Sequence, residues 1–441
     1  MKFLLNKGEE SSPSREEVYA EIFPDRPFDG GQMNKLQNSL VNKALDFMAF
    51  QQLKGEIGLQ HALRLAYLNR SPEAVSFEKA YKKASKLTGG KSRDEKSLGY
   101  RLQYEIENTR YQLRFPTSKI GAIFDPVLDT LEEYYWLKRL KIVCAGLNMD
   151  AILGTTHEKT RIGEIPEELF ANPLILVYHL VYRILTEEEW KSSFQDLFQM
   201  ITTQSTDIPQ SALDEPIRYL INFALRRINV GELDQQEQVA ALYEWLFDRS
   251  DKQDKKLVEP GDLKNYVNIL CRLGQLDRAE TALEKYIPRL SSTQKGNLPL
   301  YLQALIDFTR EDHRACMQGL DKMLNRTDNV FLQLDGRLLL WKTYYLLGEK
   351  DPDLFDLASF NFHDTFRKYV VRKKNASQSH KDNYRNFANL FLSLLKCQLE
   401  SVTEKRKACV LKLEDKIRST TDVASRHWLL EQCAQTLDSM N

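Results

Sequence analysis

Glycine and proline are scarce in this chain of 441 residues, at 19 and 14. That is too few for a β-rich fold closed by many tight turns, and no segment alternates apolar and polar residues as a half-buried strand would. No stretch approaches the roughly 18 apolar residues of a membrane span. The apolar opening Met1 to Leu5 stops at Asn6, Lys7, Gly8, Glu9 and Glu10, well short of a secretory h-region. Neither charge sign is in excess: Lys+Arg and Asp+Glu both count 62. This removes the simplest case for a nucleic-acid or membrane-surface protein while leaving local patches open. The six cysteines, Cys144, Cys271, Cys316, Cys397, Cys409 and Cys433, include no Cys-x-x-Cys pair. Each sits in an apolar helical context, so buried free thiols in a reducing compartment are expected. A soluble cytoplasmic protein follows.

Catalytic and cofactor signatures are equally sparse. The seven histidines form no His-Glu-x-x-His pair, and His157 and Glu158, being adjacent, point in different directions on a helix, so no metal site is expected. Gly89-Gly90-Lys91-Ser92 has only the tail of a phosphate-binding loop, without the spaced first glycine or a preceding strand. No Gly-x-Ser-x-Gly elbow occurs. Paired carboxylates such as Glu132 and Glu133 read as the solvated face of a helix. No catalytic residue, cofactor or metal is expected, and the chain reads as a non-enzyme.

What the sequence has in quantity is helical periodicity. Its 42% hydrophobic and 28% charged residues suit an ordered chain with a core. Ser14 is placed to cap a first helix that carries Glu16 and Glu17 in its opening turn, and Pro24 to Pro27 ends it. Met33, Leu36, Leu40, Ala44 and Phe47 then recur at three- and four-residue spacing. Residues 1–50 therefore read as a segment like a helix-turn-helix. Residues 51–160 read as helical hairpins, with a loop at Gly89 to Lys96 and a long helix over 119–146 that Gly146 can stop. Along that helix Leu128, Leu131 and Tyr135 form one apolar side, adjoined by Trp136, Leu140 and Val143. Residues 161–441 read as a helical array. An acidic turn at Glu187 to Glu189, a helix through Ile217, Leu220, Ile221, Ala224 and Ile228 ended by Gly231, and a charged linker from Asp248 to Lys256 mark its first part.

The clearest repeats fall in 261–360. Asn265 to Leu283 is a helix, a turn at Gly274 and a second helix. Ala304 to Ala315 repeats the turn at Arg310, and Leu338 to Asp351 repeats it at Gly348, 36 and then 38 residues on. Such periods signal stacked helical units. Gly274 with Ala279, and Tyr344 with Gly348, resemble the small-residue frame of the tetratricopeptide repeat, with departures at Arg310 and Asp353. Further stretches, Arg15 to Pro24, Leu128 to Tyr135, Asn222 to Asn229, Leu263 to Val267, and Phe366 to Lys374 with Tyr384 to Phe387, resemble an uncharacterised family of Bacteroidetes helical-repeat proteins. Members of that family usually carry additional helices before the Arg15 region, which implies a shortened start or a divergent copy here. The resemblance implies an all-α, right-handed α-solenoid of tetratricopeptide-like hairpins and brings no activity with it.

Two surfaces are candidates for binding. Between Arg367 and Arg385 the basic residues Arg367, Lys368, Arg372, Lys373, Lys374, Lys381 and Arg385 face a lone acid, Asp382. Phe360, Phe362, Phe366, Tyr369 and Tyr384 are interleaved with them. Basic residues with aromatics can grip a phosphate backbone and stack bases; the segment can equally hold an acidic protein, or be a helix end whose aromatics are core. The second surface is the inner face of the first repeat helix, with Asn265, Asn268 and Arg272. The leading functional expectation is a protein-interaction scaffold that holds an unknown protein or peptide in a helical-repeat groove. The alternative is a nucleic-acid-binding regulator with a degenerate N-terminal helix-turn-helix, although the helix from Gln32 to Phe50 carries only Lys35 and Lys43, a thin electrostatic footprint. No membrane partner is expected.

Overall fold

The computed structural model describes residues 14–70, 74–88, 94–114, 123–157, 161–203, 208–229, 231–232, 234–252, 257–291, 297–326, 329–348, 362–372 and 378–440. Every regular element among them is helical, and none is a strand. The packing divides the chain into Met1–Trp136 and Leu137–Asn441.

In the first unit, α1 (Arg15–Ile22) starts on the predicted cap. Glu17 N–H donates to Ser14 Oγ at 3.1 Å, and Ser14 N–H donates to the Glu17 carboxylate at 3.2 Å, a reciprocal box that satisfies both orphan donors. Tyr19 is buried between Phe23 and Phe28. Helix α2 (Gly30–Gly55), capped by Asp29, buries only Met33. The rest of its predicted core stripe is not core: Leu40 and Phe47 are exposed, as are Val41, Leu45, Met48 and Phe50. Helices α3 (Ile57–Asn69), α4 (Ala74–Thr88) and α5 (Glu95–Arg114) pack on one another around Leu65, Phe77, Tyr104 and Tyr111. The predicted loop at Gly89 to Lys96 is shorter at its end, since Glu95 and Lys96 already belong to α5 and Lys96 reaches Glu56 at 2.6 Å. Helices α3 and α5 touch at Gly58, where a Cβ would lie 2.1 Å from the Tyr100 ring, so only glycine fits that crossing. Helix α6 (Asp125–Leu153) continues through Gly146, which does not stop it; Gly154, at φ +69, does. Leu128, Leu131 and Tyr135 along it are exposed, whereas Leu140 and Val143 are buried.

The second unit continues with α7 (Pro173–Leu185), α8 (Trp190–Thr202), α9 (Asp214–Asn229), α10 (Gln236–Lys252), α11 (Pro260–Arg272), α12 (Leu276–Tyr286), α13 (Leu298–Thr309), α14 (His313–Leu324), α15 (Val330–Gly348), α16 (Phe362–Arg372), α17 (Gln378–Gln398), α18 (Thr403–Ser419) and α19 (Arg426–Asp438). The linker predicted from Asp248 is helical as far as Lys252. Most helices pack on their neighbour in the chain, and alternate helices also meet, α7 with α9, α11 with α13, α13 with α15 and α17 with α19. Helix α15 is apolar nearly all round and buried, as a helix enclosed by neighbours must be. Trp341 at its centre lies 4.6 Å from the ring of Phe391 and 5.8 Å from that of Phe366.

One exit device recurs. Helices α7, α9, α11 and α13 are each followed by a left-handed residue, Glu187, Gly231, Gly274 and Glu311. In each case the next residue's N–H bonds back across the last turn: Glu188 to Arg183, Glu232 to Arg227, Gln275 to Leu270 and Asp312 to Asp307, at 2.9–3.0 Å. This pairing absorbs carbonyls that the helix end leaves unpaired. It also places the second turn one residue later than the sequence spacing does. The counterpart of Gly274 is Glu311 rather than Arg310, and the counterpart of Ala279 is Cys316, which is likewise buried. The turn after Gly348, with Asp353, lies outside the described residues.

Ala279 is completely buried on α12. Ala279→Trp should overpack that site and lower stability by roughly 1–3 kcal/mol, read as a shifted urea midpoint with unchanged slope. An unchanged midpoint would show that the contact tolerates a large side chain and that the assigned frame is wrong.

The cysteines divide. Cys144, Cys271, Cys316 and Cys433 are buried free thiols, as expected, and burial pushes their thiols up, Cys271 to about 11. Cys397 and Cys409 instead form a disulfide between α17 and α18, with Cα atoms 5.6 Å apart.

Candidate ligand-binding groove

The second unit contains a groove of about 1350 Å³. Its walls come mainly from α11, α13, α15 and α19, with the start of α14 and Tyr384 of α17 at its margins. On α11 the spacing that turns Leu263, Tyr266, Val267 and Leu270 into the core leaves Asn265, Asn268 and Arg272 on the groove side. The other walls add apolar surface from Leu305, Phe308 and Leu339 and aromatic rings from Tyr301 and Trp428.

Charge in the groove is unevenly satisfied. Asp335 is held twice, by Lys264 at 2.7 Å and by the Tyr384 hydroxyl. Burial, then the charge of Asp335, pushes both Tyr384 and Tyr301 well above the usual tyrosine range, so both hydroxyls stay protonated. Asp312 is occupied in capping α14, accepting from Ala315 N–H at 3.0 Å.

Two cations are not matched in this way. Lys342 is only 7% exposed, and its ammonium lies 5.0 Å from the centre of the Trp428 ring. Glu431 and Asp335 act on it only through space, and among the described residues neither hydrogen-bonds it. Burial, then the charge of Arg272, lowers its pKa to about 7. Arg272 is exposed, yet surrounding protein lowers its pKa too; both facts fit a side chain standing in an open concavity. Its polar contact is weak, 3.4 Å to Asn229 Oδ1.

The basic segment is a different kind of surface. Arg367, Lys368 and Arg372 are exposed on α16, while His363, Phe366 and Val370 on the other side are buried. Phe366 and Tyr384 join the core around Trp341, so the rings that would stack bases face inward. Tyr369 is covered by the Arg337 guanidinium at 4.4 Å. Arg385 pairs with Asp382. Lys373, Lys374 and Phe360 lie outside the described residues.

His157, predicted on a helix, instead follows the end of α6, and its ring is held by Asp150 Oδ1 at 2.5 Å. No cluster of metal-ligating side chains occurs among the described residues, and no described helix is long and apolar enough to cross a membrane. Lys342 was missed from sequence, although its signal was present: it stands alone in Leu338 to Leu347, a run so apolar that its helix must be enclosed and its lysine buried. No protein family, curated protein or solved structure matches this chain.

Proposed function

We propose that the chain is a non-enzymatic interaction scaffold, a right-handed α-solenoid of tetratricopeptide-like hairpins that holds a peptide segment of a protein partner in the groove of α11, α13, α15 and α19. The observation that carries this reading is that alternate helices, adjacent in space, turn their polar and aromatic side chains into one concavity. Stacked hairpins use such a concave row of first helices for binding. The repeated left-handed helix exits support a repeating unit. Asn265 and Asn268 offer amide groups that suit a peptide backbone, and Leu305, Phe308 and Leu339 offer room for its apolar side chains. The regulator reading has less support, because the aromatics of the basic segment are core and the exposed face of α2 is apolar.

The test is a photo-crosslinking amino acid placed at position 268 in the groove or at position 368 on the basic face. The expected result is a discrete crosslinked protein from position 268 that is lost when Arg272→Glu is added. Crosslinking from position 368 alone would move the binding surface to α16.

A further inference from the structure

We propose that the groove recognises a carboxylate of its peptide ligand, bound between Lys342 and Arg272 beside Trp428. This rests on the groove being the ligand site and adds the chemistry it selects. Lys342 carries the argument. An ammonium taken out of water is costly unless a counter-charge meets it, and a lysine placed for stability would have one. Here the nearest acids are otherwise engaged or distant. Asp335 of α15 already holds Lys264 and Tyr384. Glu431 of α19 acts only through space. Other titratable or charged groups lining the groove are Tyr301 of α13, which stays protonated, Glu311, Asp312, His313 and Arg314 at the start of α14, and His427 of α19. Arg272 of α11 adds a second cation, and its charge disfavours that of Lys342. Two cations in one concavity that none of its carboxylates hydrogen-bonds, among the described residues, form a site complementary to an anion. The Trp428 ring covers one side of the ammonium, and the low-dielectric surroundings strengthen any charge-assisted hydrogen bond made there.

The geometry also sets a pH signature. Lys342 titrates near 7 in the free protein, and a carboxylate beside it favours the charged form. Binding at pH 8 should therefore take up a proton, and affinity should fall as pH rises above 7.

The test begins with selection of a random peptide library on the immobilised full chain. Selected peptides are resynthesised unchanged, with Glu or Asp replaced by Gln or Asn, and with the C-terminus amidated; the last two arms separate a side-chain carboxylate from a terminal one. Removing the responsible carboxylate should weaken binding roughly 10-fold or more. Lys342→Met, checked for an unchanged helical spectrum, should cause a similar loss. Titration calorimetry at pH 8 in buffers of different ionisation enthalpy should show proton uptake that Lys342→Met abolishes. Lys342→Gln is the second variant and should behave as Lys342→Met does. If selected peptides bind equally well after both carboxylate replacements, the carboxylate inference fails and the groove reading survives. If no peptide is enriched over a groove-blocked Asn268→Trp chain, both fail. Displacement by inorganic phosphate at the concentration of the peptide itself would assign the site to a small anion and overturn the peptide proposal.

Discussion

Lys342→Met should make the protein more stable, with the full gain below pH 7 and progressively less of it as pH rises. In the unfolded chain this lysine titrates near its ordinary value, whereas in the fold burial brings it to about 7. The sign follows from proton counting. Between pH 7 and about 10.5 the unfolded chain holds more protons than the folded one, so wild-type stability rises with pH across that window. Below pH 7 the lysine is charged in both states and the penalty is complete; as pH rises toward the unfolded value it is relieved. At about 1.4 kcal/mol per unit of difference the full penalty has an upper bound of about 5 kcal/mol. Water in the groove reaches the tip of the side chain, so a gain of about 2–4 kcal/mol at pH 7 is expected. Methionine keeps the length of the chain and fills the same space beside Trp428. Denaturant melts from pH 6 to 9 should show wild-type stability climbing by about 2 kcal/mol between pH 7 and 9, with the variant flat by comparison. A variant that is destabilised, or that keeps the same slope, would mean that Lys342 has a counter-ion in solution.

The same residue shows where sequence reading stops. Periodicity reports that a helix has an apolar face and says nothing about what covers it. In α9, Ile217, Leu220, Ile221, Ala224 and Ile228 form such a face and are buried. In α2, Leu40 and Phe47 belong to an equally regular face and are exposed. Nothing local distinguishes the two, because the difference lies in neighbours distant in sequence. Helix ends were legible where a polar cap or a left-handed glycine marks them, as at Ser14 and Gly231. They were misread at Gly146, since a glycine can sit inside a long helix at modest cost, and at Glu311, where a side-chain-bearing residue takes the left-handed position usually given to glycine. Within the groove, Asn265, Asn268 and Arg272 were visible as the polar face of one helix. Lys342 comes from a different helix, α15, and the apolar run around it indicates burial without indicating that it faces the same groove. The basic cluster had the opposite fault: composition placed aromatics among cations, and the fold sends the two to opposite sides of α16.

The disulfide is the feature the cysteine pattern concealed most completely, and its removal should have the second large effect. Cys397 and Cys409 are 12 residues apart, on helices whose antiparallel packing brings them together across the turn near Glu400. Closing a loop of this size restricts the unfolded chain, for an expected stabilisation of roughly 3 kcal/mol. Cys397 is buried against the core that holds Leu394, Val410 and Leu413, so the replacement should be small and apolar. A Cys397→Ala, Cys409→Ala chain should lose about that stability relative to oxidised wild type, and reduction of the wild type should bring the two close together. The bond also bears on where the protein works, because disulfides persist in oxidising compartments and are reduced by the thiol systems of the cytosol. Alkylation of the protein as it leaves its host, followed by mass measurement, distinguishes the two states directly. Protection of Cys397 and Cys409 is the expected result, and it would count against the reducing compartment inferred from the cysteine spacing. If both thiols are labelled, the stability difference between wild type and double variant should nearly vanish as well, since one buried and one partly buried free thiol replaced by alanine leave only a small cavity term.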